Sequence, residues 1–214
     1  MVPRPRSSPL MSAASWPMLA EQAALGALYT EVRACTLCAK HLPLGPRPIV
    51  RGEASARLLI VSQAPGTRVH MTGLSFNDRS GDRLREWLGI SRKTFYDERR
   101  VAIVGMAFCY PGVDAKGGDL PPRRECAPRW HGPVLARMPH IELTLLVGSY
   151  AIDYYLHERP RRAMTEIVQA WRGHLPRYFA LPHPSWRNTA WLERHPWFER
   201  ELLPELRRRV QELV

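Results

Sequence analysis

Short, continuously apolar runs alternate along this chain with apolar positions at helical spacing. Leu19, Ala23, Leu25, Leu28, Tyr29 and Val32 recur with a helical period and predict a helix from Met18 to about Ala34. Arg57–Val61, Val101–Ala107, Leu143–Val147 and Arg177–Leu181 are short apolar runs, which predict buried strands. Further helices are predicted over Asp82–Leu88, stopped by Gly89, and over Cys126–Met138 despite Pro128 and Pro133. Tyr150–Leu156, Met164–Trp171 and a basic amphipathic tail, Pro196–Leu213 with a bend at Pro204, complete the set. Leu42–Pro48 reads as an extended, proline-rich stretch. Strands alternating with helices predict an α/β fold: a three-layer α/β/α sandwich around a four-stranded, mostly parallel sheet. Residues 18–214 are expected to form one domain. Residues 1–17, rich in Arg, Ser and Pro, are expected to be a disordered tail or to precede a later start at Met11 or Met18. In such sheets ligands bind beyond the carboxyl ends of the strands. Ser62–Gly66, Gly105–Cys109 and His183–Asn188 all fall there.

Composition narrows the function class. The 214 residues carry a net charge of +11, almost all from arginine, since only Lys40, Lys93 and Lys116 are lysines. That excess suits a polyanionic partner, DNA or RNA, although an arginine-rich solvated surface gives the same count. No apolar run reaches the ~20 residues of a membrane helix, and the N-terminus lacks the apolar centre of a secretory signal. No membrane partner is expected.

The four cysteines fall as Cys35-x-x-Cys38, then Cys109, then Cys126, the last two flanking a basic, Pro- and Gly-rich loop. Two chelating elements that must converge describe a four-thiolate metal site, and spacing alone leaves zinc and an iron–sulfur cluster both open. Such a site belongs in a reducing compartment, so a cytoplasmic location is expected. A zinc nucleobase deaminase is disfavoured. Thr30–Cys35 supplies neither its His/Cys-x-Glu pair nor its Pro-Cys-x-x-Cys pair.

Taken in order, the Cys35/Cys38 pair, Ser62-Gln63-Ala64-Pro65-Gly66, Gly73–Phe76, Asn77–Asp82, Cys109, Cys126 and His183-Pro184-Ser185 resemble the uracil-DNA glycosylase superfamily. The likeness is to its iron–sulfur families four and five and spans roughly residues 18–200. Asp78–Asp82 and Asn188-Thr189 look more like family five. The resemblance implies a monofunctional DNA repair enzyme. It would flip uracil or a related deaminated base out of single- or double-stranded DNA and hydrolyse its glycosidic bond. The resemblance also favours a 4Fe-4S cluster on the four cysteines, with structural zinc as the alternative. A monomer is expected.

By the same resemblance, Gln63, Asp78 and His183 are the catalytic candidates, and Ala64, Phe76, Gly105 and Asn188 the base-binding ones. Phe76 matches the aromatic that stacks on the base, against a plain core phenylalanine. His183 matches the histidine that donates to the pyrimidine carbonyl as charge develops there. Ser185, Trp186 and Arg187 fall where the family wedges the duplex, and Arg79, Arg83, Arg123 and Arg124 are candidates for phosphate contacts. Two departures stand out. Gln63 replaces the glutamate of family four, which leaves Asp78 as the candidate substitute. Gly105 replaces a base-reading asparagine, for which Asn188 and Asn77 are candidate replacements. Both departures also fit a weak or inactive member that binds damaged or single-stranded DNA. With no lysine at a strand end, a Schiff-base lyase step is not expected.

Overall fold

The structure, a computed structural model, describes residues 15–157 and 162–214. Its elements are α1 (Ser15–Arg33), β1 (Val50–Arg51), β2 (Leu58–Ser62), α2 (Thr67–Thr72), α3 (Arg79–Leu88), α4 (Arg92–Phe95) and β3 (Val101–Gly105). They continue as α5 (Cys126–Leu135), β4 (Leu143–Val147), α6 (Ser149–Leu156), α7 (Met164–Gln169), β5 (Tyr178–Leu181), α8 (Thr189–Arg194) and α9 (Leu203–Leu213).

The sheet has five strands in the order β1-β3-β2-β4-β5, not four. Strands β3, β2, β4 and β5 run parallel, as the sequence predicts. The added strand, β1, is a two-residue edge pairing antiparallel with β3, Val50 opposite Val104 and Arg51 opposite Ile103. It starts two residues after Pro48 and is too short to show an alternating pattern, so the sequence carries no signal for it. Strands β3 and β4 are buried at every position, and only Ser62 of β2 is not. A sheet covered on both faces accounts for their near-continuous apolar runs, in which Thr144 of β4 is a buried polar exception.

Helix α1 already includes Ser15–Pro17; the rest of the expected tail, residues 1–14, lies outside the described residues. Helix α1 packs on α5, and α3 on α9. The C-terminal helix is shorter than predicted. A π-helical turn, Phe198–Leu202, runs into α9, and Pro204 sits in the first turn of α9, where its missing N–H has no intrahelical partner in any case. Three short helices that the sequence reading does not contain, α2, α4 and α8, sit in the connections.

Register sets the functional edge. Pairing of Ser62 with Gly105, and of Val147 with Leu181, ends the parallel strands side by side. The chain leaves β2 toward β3 on one side and β4 toward β5 on the other, so the sheet has a topological switch point between β2 and β4.

Candidate active site

A cavity of about 470 Å3 opens at that edge. Ser62, Ala64, Pro65 and Gly66 after β2, Gly105 at the end of β3, and His183 after β5 form its floor and one wall. Phe76 and Asp78 close it from the segment before α3, and Arg68, Arg79, Ser185, Trp186 and Arg187 lie at its mouth.

His183 is partly buried, and that burial pushes its pKa below the usual histidine value, against the opposing pull of Asp78 and Asp119. The imidazole is therefore neutral at pH 7. Its ring rests against Gly148, whose absent Cβ would stand 3.4 Å from the His183 Cβ. The loop after His183 is tied down from behind. Arg83 donates to the Ser185 carbonyl (3.1 Å), and the Asn188 amide donates to the His183 carbonyl (2.7 Å).

Asn188, one of the predicted base-binding residues, provides one of these ties. It does not line the cavity, because its side chain bends the loop back on itself. Gln63, one of the predicted catalytic residues, is placed differently. It is absent from the cavity wall, and its amide nitrogen faces the Leu120 carbonyl at 3.5 Å, a long contact. Asn77, the other suggested replacement, accepts from Arg92 (2.9 Å) and also lies outside the cavity. Of the arginines, Arg83 is engaged internally, Arg123 pairs with Glu125 (2.7 Å), and Arg124 is not in the lining; Arg79 and Arg187 are.

Phe76 is a core residue that also reaches the cavity. It is 8% exposed, meets Phe95 edge-on at 6.0 Å, and still contributes to the cavity wall. Its backbone is left-handed (φ 55°), held there by Tyr96 Oη and Arg85 Nη1 donating to its carbonyl at 3.1 and 3.3 Å. Helix α3 comes so close that a Cβ on Gly81 would stand 1.7 Å from the Phe76 carbonyl oxygen. Asp78 caps α3, its Oδ1 accepting from the Gly81 N–H at 2.9 Å.

Gly105 leaves no room for a side chain: a Cβ there would stand 2.5 Å from the Ala107 carbonyl oxygen. Its own carbonyl accepts from His131 Nε2 (2.9 Å). A carbonyl only accepts, so Nε2 carries the proton and Nδ1 accepts from Tyr155 Oη at 2.7 Å. His131 is fully buried, stacks on Phe108, and has its pKa lowered by burial. Sequence reasoning missed it, because a lone histidine in a helix gives no pattern. Asp119 is the other missed residue, and its carboxylate reaches the cavity from the loop between Cys109 and Cys126.

The four cysteines converge. Cys35, Cys38, Cys109 and Cys126 line one small, mostly apolar cavity with Val32, Phe108, Arg123 and Trp130, and none forms a disulfide. Burial pushes the Cys109 thiol up to about 11 and the Cys126 thiol up to about 12, each raised further by the other cysteines. Among the described residues, no group of three or more His, Cys, Asp or Glu side chains is gathered tightly enough for a single metal ion. Four thiols lining one cavity are a donor set of the kind that holds zinc or an iron–sulfur cluster.

No helix among the described residues is long and apolar enough to cross a membrane. In comparison with known families, the model described as the uracil DNA glycosylase superfamily matches residues 49–207. It begins after the first cysteine pair and takes in every strand from β1 to β5, so the cavity lies wholly within it. A match over that much of the chain, around a cavity at the carboxyl edge of a parallel sheet, settles the family: the chain belongs to the uracil DNA glycosylase superfamily, whose members are DNA-binding enzymes of glycosylase type.

Proposed function

We propose that the protein flips uracil, or a related deaminated base, out of DNA and hydrolyses its N-glycosidic bond to leave an abasic site. The observation that carries this reading is the convergence of His183, Phe76 and Asp78 on one cavity at the switch point of the sheet. C1′ is shielded within a duplex, so the nucleotide must enter such a cavity extrahelically. Phe76 offers a ring face to the base. Departure of the base leaves negative charge on the pyrimidine and positive charge on the sugar. A neutral His183 donates an N–H to the former, and the Asp78 carboxylate stabilises the latter. Exposed Trp186, with 75% of its surface free, has no core role and suits the gap that the base leaves behind. Arg68, Arg79 and Arg187 at the mouth supply phosphate contacts.

None of Lys40, Lys93 and Lys116 lines the cavity, which supports a monofunctional hydrolase. Cys35, Cys38, Cys109 and Cys126 hold a 4Fe-4S cluster in preference to zinc. Its role is structural, fixing the Cys109–Cys126 loop against α1, and it suits a reducing cytoplasm.

The test is incubation with end-labelled single- and double-stranded oligonucleotides carrying one uracil, followed by alkali and a sizing gel, on protein first assayed for iron, acid-labile sulfide and zinc. Alkali-dependent cleavage at the uracil is expected, with His183→Ala reducing the rate about 10²–10³-fold, as loss of an oxyanion donor does. Tight binding with no base release from any deaminated base would instead make this a DNA-binding member of the superfamily.

A further inference from the structure

We propose that Asp119 is a catalytic residue of this site, its carboxylate accepting the proton of the attacking water in place of the glutamate absent at position 63. The assignment rests on the base-release reading above and deepens it.

Asp119 lines the same cavity as His183 and Asp78. Its carboxylate oxygens stand 3.8 and 4.0 Å from where a Cβ of Gly66 would lie, so the group sits over the turn that carries Gln63. Its charge is felt at His183, where it favours the protonated form. The loop holds it there by its own bonds. Asp114 Oδ1 accepts from the Lys116 and Gly118 N–H groups (2.8 and 2.9 Å), Val113 pairs antiparallel with Asp119, and Leu120 N–H donates to the Gly112 carbonyl (2.9 Å). Asp119 is therefore at the base of a small closed hairpin, not at its tip.

Two carboxylates are then available, and they are not equivalent. Asp78 Oδ1 is engaged by the Gly81 N–H. Among the described residues, the Asp119 carboxylate accepts no hydrogen bond and joins no ion pair, which leaves both oxygens for a water. Gln63 cannot take a proton, and its amide faces the carbonyl of Leu120, the neighbour of Asp119. The carboxylate has in effect moved from the turn to the loop across from it.

In the step, the C1′–N bond breaks and its electron pair leaves with the base. The water oxygen bonds to C1′, and the proton it sheds passes to Asp119 and from there to solvent. The base anion takes up one proton from solvent, so one water is consumed and charge balances.

The test is single-turnover uracil excision across pH by wild type, Asp119→Asn and Asp78→Asn, with DNA binding, thermal stability and the His183 titration followed by NMR. Asp119→Asn is expected to lower the rate by about 10²-fold or more, the range of general-base catalysis. It should abolish the acid limb of the pH profile and leave binding and stability within error. His183 should titrate at lower pH in that variant, because a neighbouring anion has gone. Excision by Asp119→Asn within threefold of wild type, or a larger loss in Asp78→Asn, would overturn the assignment while leaving the glycosylase reading intact. An unchanged His183 titration would overturn the placement of Asp119. No base release by wild type would overturn both.

Discussion

Gly148 shows how narrowly single residues are specified around this cavity. Its backbone (φ 89°, ψ 168°) lies in a region open to glycine alone, and it follows β4 directly, against the His183 ring. Gly148→Ala is expected to cost about 1–3 kcal/mol of stability from backbone strain and to press a methyl against His183. Thermal denaturation should show a lowered midpoint, and uracil excision should fall further than stability alone explains. The motif His183-Pro184-Ser185 is legible in the sequence, but its supports are not. Asn188 has the residue type of a base reader. Only the structure shows its amide turned back onto the His183 carbonyl at 2.7 Å.

At the scale of elements, α3 joins stability to the site. Asp78 caps it, Arg85 lies buried against Asp82 (2.6 Å) and the Phe76 carbonyl, and Arg207 of α9 donates to the carbonyls of Glu86 and Trp87 at its far end. Asp78→Ala is expected to cost about 1 kcal/mol through loss of the cap. Asp78→Asn retains a capping oxygen, so its melting temperature should match wild type while excision falls roughly tenfold with the lost charge. Comparing the two variants by calorimetry and by the excision assay separates the two roles of one side chain. The body of α3 was legible, since its apolar positions and Gly89 mark it. Its start was not, because Asn77-Asp78 reads equally as a turn. The buried strands β2 to β5 were legible for a plain reason: both faces are covered, so nearly every position is apolar, Ser62 and Thr144 being the polar exceptions. Edge strand β1 gains its pairing only from β3, a partner about fifty residues away in sequence.

Across the whole molecule, three histidines share one titration behaviour. Burial lowers the pKa of His70, His131 and His183 in the folded protein. Unfolded, each binds its proton near pH 6.5. Between those values the unfolded chain holds more protons, so stability is full above pH 6.5 and is lost as pH falls below it. Melting temperatures measured from pH 7.5 down to 5.5 should decline, before the carboxylates are protonated; a flat profile would contradict neutral burial of these rings. What the sequence determined alone is what local pattern and composition encode: the parallel sheet, the cysteine spacing, the basic surface, and the motifs at the strand ends. What only the tertiary structure decided is which side chains meet. Strand register sets Gly105 beside Ser62, and His131 holds the Gly105 carbonyl from behind. A hairpin far along the chain brings Asp119 over Gly66, while Gln63, though inside the motif, meets the Leu120 carbonyl and does not line the cavity. The reason is physical: local sequence fixes backbone preference and burial, whereas the direction of a polar side chain depends on partners supplied from elsewhere in the fold.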